Sequence, residues 1–239
     1  MRAVGATWEG LVRGIELLVR LDPGVLEVVW LTLRVCGQST FFSVLVGVPL
    51  GAFLAFRRFL GRGLVISVVN TLMGIPPTVA GLWVSFLLWR SGPLGRLELI
   101  YTPTAIVIAQ VVIAVPLVTG LSMAAFQQLP PKLPAQVLAL GASPAQLFWT
   151  LLKEARLGLL AAVIAGFGGV VSEVGASMMV GGNILHHTRV LTTAIVMEVG
   201  RGNFAMAWAL SFILLGLTFT VTAVLTVLQQ GRRRYGGWP

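Results

Sequence analysis

The sequence predicts an all-α integral membrane protein with five membrane-spanning helices. Three observations predict it. The 239 residues are 56% hydrophobic and only 10% charged, with a mean hydropathy of +0.91, whereas soluble domains carry about 25% charged residues. Five apolar stretches are long enough to cross about 30 Å of hydrocarbon. The links between them concentrate Pro, Gly and Arg, which end helices and fix orientation.

In chain order, residues 1–26 precede the first span. Trp8 to Asp22 puts Leu11, Ile15, Leu18 and Val19 on one face, with charges between them. That spacing predicts an amphipathic helix on the membrane surface or against the bundle, not a secretory signal. The spans are placed at Glu27–Phe56, Leu64–Trp89, Thr102–Phe126, Leu157–Val180 and Phe204–Gln230. Together, residues 27–230 form one membrane domain, followed by a basic tail at 231–239.

Gly47 and Gly51 in the first span are spaced for close helix packing. Cys36 has no second cysteine to pair with and reads as a small packing residue. In the second span, Pro76 and Pro77 remove backbone donors and force a kink or an unwound segment, which is tolerated where it faces protein or a water-filled path. Glu173 is the one acid well inside a span. A charge there costs at least about 2.5 kcal/mol to insert, so it must be paired or protonated. Arg34, a turn among Gly168, Gly169 and Gly175, and the path itself are its three candidate surroundings.

Orientation follows from the links. One side holds Arg57, Arg58, Arg62, Lys132, Lys153, Arg156 and Arg232 to Arg234, opposed only by Glu154. On the other side, seven arginines face six acids. The first side is therefore assigned to the cytoplasm, with the N-terminus outside and the C-terminus inside. The net charge of +9 then marks topology and anionic lipid rather than nucleic acid.

The longest cytoplasmic link, about residues 130–156, begins with Pro130-Pro131-Lys132-Leu133-Pro134 and then predicts two short helices. Between them, Gly141 suits a left-handed helix end, Ser143 an N-cap, Pro144 the first helical position and Gln146 the return half of a capping box. On the second helix, Leu147, Phe148, Leu151, Leu152 and Ala155 form an apolar stripe. It suits either packing on the bundle or docking into a soluble partner.

The outer link Gly181–Asn203 predicts a short helix over Val190–Val199. His186 and His187 point about 100° apart on a helix and read as loop residues rather than a metal site. No Walker A pattern, Ser/His/Asp set or paired-carboxylate site is visible.

Gly141-Ala142-Ser143-Pro144, on the cytoplasmic side with two spans after it, resembles the signature loop of permease subunits of ABC importers. The loop departs from that pattern in two places: Ala135-Gln136-Val137 stands for the usual Glu-Ala-Ala, and Lys153-Glu154 for the later Leu-Pro pair. Gly74 to Leu82 and Ser91 to Gly95 resemble the tungstate and molybdate oxyanion branch. Tyr101 to Gln110, Lys153 to Arg156 and Ser172 to Ile184 are most similar to its tungstate type.

The resemblance implies a type I importer arrangement and a twofold homodimer. It also implies two ATP-binding subunits docked at Gly141, Ala142, Ser143, Pro144, Gln146, Leu147 and Phe148, and an extracytoplasmic anion-binding protein. ATP is then hydrolysed on the partner subunits, and this chain holds no cofactor. Pro76, Pro77, Glu173, Thr188, Arg189, Thr192 and Thr193 become path or gate candidates, the last four as donors to an anion. The expected activity is inward tungstate transport by ATP-driven alternating access at the cytoplasmic membrane. Molybdate or sulfate transport is the nearest alternative. An intramembrane enzyme pairing Glu173 with His186 or His187, and a membrane scaffold, are alternatives of other kinds.

Overall fold

In the computed structural model, the described residues are 23–230 together with Trp8, Val12, Ile15 and Glu16. Most of the expected N-terminal amphipathic helix, and the basic tail at 231–239, lie outside them. From Pro23 to Gln230 the chain forms ten α-helices: α1 Pro23–Phe56, α2 Arg62–Met73, α3 Pro77–Leu88, α4 Pro103–Gln127, α5 Leu133–Ala139, α6 Pro144–Glu154, α7 Arg156–Val171, α8 Gly175–Gly181, α9 Leu191–Gly200 and α10 Phe204–Gln230.

Three of these, α1, α4 and α10, are continuous and apolar enough to cross a membrane. With 34 residues, α1 is about 50 Å long and overshoots the hydrocarbon layer. The second expected span is instead two helices, α2 and α3, bent by 103° at Gly74 to Pro76. This is the interruption Pro76 and Pro77 impose: Pro76 is extended, and Pro77 opens α3 at a position needing no donor. The fourth expected span is also not one helix. It breaks at Ser172 to Val174 between α7 and α8, where the Ser172 hydroxyl bonds the carbonyls of Gly168 and Gly169 at the end of α7.

The core is a seam between α1 and α4, flanked by α7, α3 and α8. Gly47 and Gly51 make this seam possible. A Cβ at Gly47 would lie 2.8 Å from the Val118 side chain, and one at Gly51 2.8 Å from the Met123 backbone nitrogen. At one end, Val35, Leu88, Ile106, Ala176 and Val180 close one cluster; at the opposite end, Val48, Val118, Phe126, Leu151 and Leu159 close another. Large apolar side chains such as Phe41, Phe86, Leu215 and Phe219 are left exposed on the outside, as the hydrocarbon solvent permits.

Candidate functional site

The turn between α5 and α6 is built from local chemistry. Gly141 follows α5 with φ +85°, the left-handed region that glycine enters without Cβ strain. Its N–H donates to Leu138 O at 2.9 Å, which ties off the end of α5. Ser143 then caps α6: its hydroxyl accepts from Gln146 N at 3.3 Å, and its own N–H donates to Gln146 Oε1 at 2.7 Å. The expected capping box is present. The apolar stripe on α6 divides. Leu151 and Ala155 are buried in the cluster with Phe126 and Leu159, while Phe148 and Trp149 are exposed, as is Leu140 beside the turn.

The two helix interruptions meet. A Cβ at Gly175, the first residue of α8, would lie 2.9 Å from Thr78 Cγ2 in the first turn of α3. A Cβ at Gly81 would lie 2.6 Å from Ala176 Cα. Thus α3 and α8 begin side by side, in near backbone contact.

Glu173 sits in the second interruption and is buried. One carboxylate oxygen accepts from Ala176 N at 2.7 Å; the other accepts from Ser177 N at 3.0 Å and Ser177 Oγ at 2.7 Å. An anion at a helix start satisfies donors that no helical carbonyl reaches and complements the helix dipole. Of the three surroundings expected for Glu173, the structure takes the turn beside Gly175. A polar chain continues inward: Gln110 Nε2 reaches Ser177 Oγ and Val170 O, each at 3.4 Å, and Ser39 Oγ donates to Gln110 Oε1 at 2.8 Å.

The link at residues 181–203 folds onto this break. Thr192 Oγ1 donates to Glu173 O at 3.1 Å, and Leu191 N donates to Thr32 Oγ1 at 2.9 Å. Thr188 Oγ1 donates to Gly181 O and accepts from Ile184 N. Thr193 Oγ1 both accepts from Val190 N and donates to Val190 O. All three threonines are buried. Their hydroxyl protons go to carbonyls of the chain itself, and in this conformation they hold the link in place. Arg189 is half-buried and donates to Asn183 Oδ1 and Asn183 O, both at 3.3 Å. Burial, then the charge of Arg201, lowers its pKa, and Glu198 raises it.

His186 Nδ1 lies 2.6 Å from Glu27 Oε2, joining this link to the first turns of α1. The Glu173 carboxylate bonds Ala176 and Ser177 instead, so the acid and imidazole pair required by the intramembrane-enzyme reading is not formed.

Of the sequence candidates, Glu173 and Thr192 come together, and Pro76 and Pro77 adjoin the same place through Thr78 and Gly175. Gly141 to Phe148 form a separate, exposed group with Ala142 and Leu147 half-buried. Sequence reasoning missed Ser39, Gln110 and Ser177. Their signal was the presence of hydrogen-bonding side chains inside otherwise apolar stretches.

Residues 47–234 match the family of binding-protein-dependent transport system inner membrane components. The chain is 38% identical to the tungstate uptake system permease protein of Peptoclostridium acidaminophilum, over 93% of this chain and 97% of that protein. It is 31% identical to the tungstate uptake system permease protein of Campylobacter jejuni, over 93% of each. It is also 31% identical to the molybdenum transport system permease protein of Azotobacter vinelandii, over 89% of this chain and 96% of that protein. Among solved structures, the inward-facing methionine ABC transporter superposes with a TM-score of 0.66 at 23% identity, covering 90% of this chain and 97% of that one. That likeness concerns the fold, which is the type I importer permease arrangement.

Proposed function

This chain belongs to the family of binding-protein-dependent transport system inner membrane components, and from that premise we propose that it is the permease subunit of a tungstate importer. The observation that carries the reading is the 38% identity to a tungstate uptake permease along nearly the whole of both chains. Molybdate is the second reading, supported by the 31% identity to a molybdenum permease.

The chain works as one half of a twofold homodimer with the path at the interface. It is a multi-pass protein of the cytoplasmic membrane, N-terminus outside and C-terminus inside, in agreement with the excess of basic residues beside the Gly141 turn. ATP is bound and hydrolysed by two separate subunits, and an extracytoplasmic binding protein delivers the anion. The cytoplasmic loop at about 130–156 couples to the ATPases. Support for this comes from its geometry: the left-handed Gly141 and the capping box hold α5 and α6 at a set angle, and Leu138, Leu140, Phe148 and Trp149 stay exposed next to them.

The mechanism is alternating access. Movement of the ATPases pulls α6, and α6 pulls α7 through Leu151 and Ala155, buried against Leu159. At its far end α7 stops at Ser172, where Glu173 and Thr192 tie the break to α8 and to the outer link. Displacement of α7 is thereby delivered to the place where α3 and α8 touch, which acts as the gate. Selection of the anion rests mainly with the binding protein.

Reconstitution tests the reading. The chain is placed in liposomes with the ATPase and binding protein encoded beside it, and ATPase and uptake are measured with tungstate, molybdate and sulfate. Tungstate is expected to stimulate both most strongly. Stimulation by none of the three would sink the importer reading; a preference for molybdate would change the anion alone.

A further inference from the structure

The helix α6 meets α7 at an angle of 72°, with the elbow at Ala155. Two cavities open there. One, of about 390 Å³, is a groove between α1 and α7 with Val44, Val48, Leu159 and Val163 on its walls. The other, of about 630 Å³, lies inside the elbow and is lined by Trp149, Lys153, Glu154 and Leu157. Leu152 and Arg156 line both, so the two adjoin. An apolar trough thus lies beside a pocket bearing two cations and one carboxylate.

We propose that this elbow binds an anionic phospholipid, with an acyl chain along the α1–α7 groove and the phosphate held by Lys153 and Arg156. The two ends of the site ask for different chemistry, and a lipid supplies both in one molecule. A soluble anion leaves the groove empty, and a neutral hydrocarbon leaves the cations unmatched. Basic pockets beside membrane helices on the cytoplasmic side are suited to such headgroups. Trp149, 64% exposed at the rim, is the type of side chain that settles at the level of headgroups. A second copy of this chain is a poorer occupant, because a twofold contact through the elbow sets Lys153 and Arg156 against themselves.

Gln229 Nε2 donates to Leu157 O at 2.9 Å, pinning the end of α10 to the elbow. Because α6 carries the proposed coupling turn and α7 the proposed gate end, a lipid here binds the joint that links them. The inference takes only the leaflet and this consequence from the transport reading, and its test needs no transport.

The full chain is purified in detergent and offered phosphatidylglycerol, phosphatidylethanolamine and phosphatidylcholine with matched acyl chains, and retained lipid is read by native mass spectrometry. Phosphatidylglycerol is expected to be retained about tenfold more than phosphatidylcholine, and Lys153→Gln and Arg156→Gln each to lose about fivefold of that preference. Leu160 also lines the groove, and Leu160→Trp, which fills it, should lower retention of all three lipids. Equal retention of the three by the unaltered chain would overturn the proposal, as would Lys153→Gln and Arg156→Gln variants that keep the full preference. A Leu160→Cys variant forming a disulfide between two chains in the membrane would assign the groove to a second copy and also overturn it. If Arg156→Gln fails to fold, Lys153→Gln, at an exposed position, decides the charge question alone.

Discussion

Oε2 of Glu173 accepts both from the backbone N–H of Ser177, at 3.0 Å, and from its hydroxyl, at 2.7 Å. A buried carboxylate is therefore engaged in starting a helix. Glu173→Ala strands the N–H groups of Ala176 and Ser177 without an acceptor, at a cost of about 1–3 kcal/mol. The thermal midpoint of the purified subunit should fall. In the reconstituted complex, uptake should fall more than ATPase, since the end of α7 at the proposed gate is freed. Equal losses of both would mean only that the subunit misfolds.

Ser39 and Gln110 join α1 to α4 by a buried hydrogen bond of 2.8 Å. Single replacements, Ser39→Ala and Gln110→Leu, should each destabilise the subunit, while the double replacement should cost less than their sum by about 1 kcal/mol. A double-mutant cycle of unfolding measurements in detergent checks this; strict additivity would show that the bond carries no coupling.

Glycines separate into two classes. Gly51→Ala drives a methyl to within 2.8 Å of the Met123 nitrogen and the Thr119 carbonyl, so about 1–3 kcal/mol of overpacking is expected. Gly216→Ala meets nothing within 4 Å in the middle of α10 and should stabilise by about 0.5–1 kcal/mol. Thermal midpoints that move in opposite directions are the expected result.

At the proposed coupling turn, Gly141→Val forces a β-branched residue to φ +85° and should uncouple uptake from ATP hydrolysis. Gly141→Asn tolerates that region and should retain most uptake. Ser143→Ala removes one half of the capping box, at about 1 kcal/mol. Measurement of anion uptake per ATP hydrolysed separates the three. Unchanged coupling in Gly141→Val would remove the turn from the mechanism.

What the sequence made legible was local. The Gly141 turn, the Ser143 and Gln146 box and the break before Pro77 follow from residues within a few positions of one another, and each is present. What it hid depended on distant partners. Nothing near Thr192 announces that its hydroxyl goes to Glu173 O, and nothing near Gln110 announces Ser39. Pro76 and Pro77 announced that the second span is interrupted but not by how much, because hydropathy measures composition, and α2 and α3 are both apolar on either side of a 103° bend. The stripe on α6 divided for a related reason: the periodicity that marks an apolar face does not say how much of it the chain's own bundle will cover, and Leu151 was covered while Phe148 was not.

The seam between α1 and α4 has a mechanical consequence. Ser39 bonds Gln110, Gly47 abuts Val118 and Gly51 abuts Ser122, and each pair is separated by the same 71 residues. Two parallel helices locked at one offset in three places, twice by glycines with no room for a Cβ, cannot slide past each other by a fraction of a turn without collision. They form a stator. The short joints at Gly74 to Pro76 and at Ser172 to Val174 lie outside this lock, two breaks mounted on one rigid post.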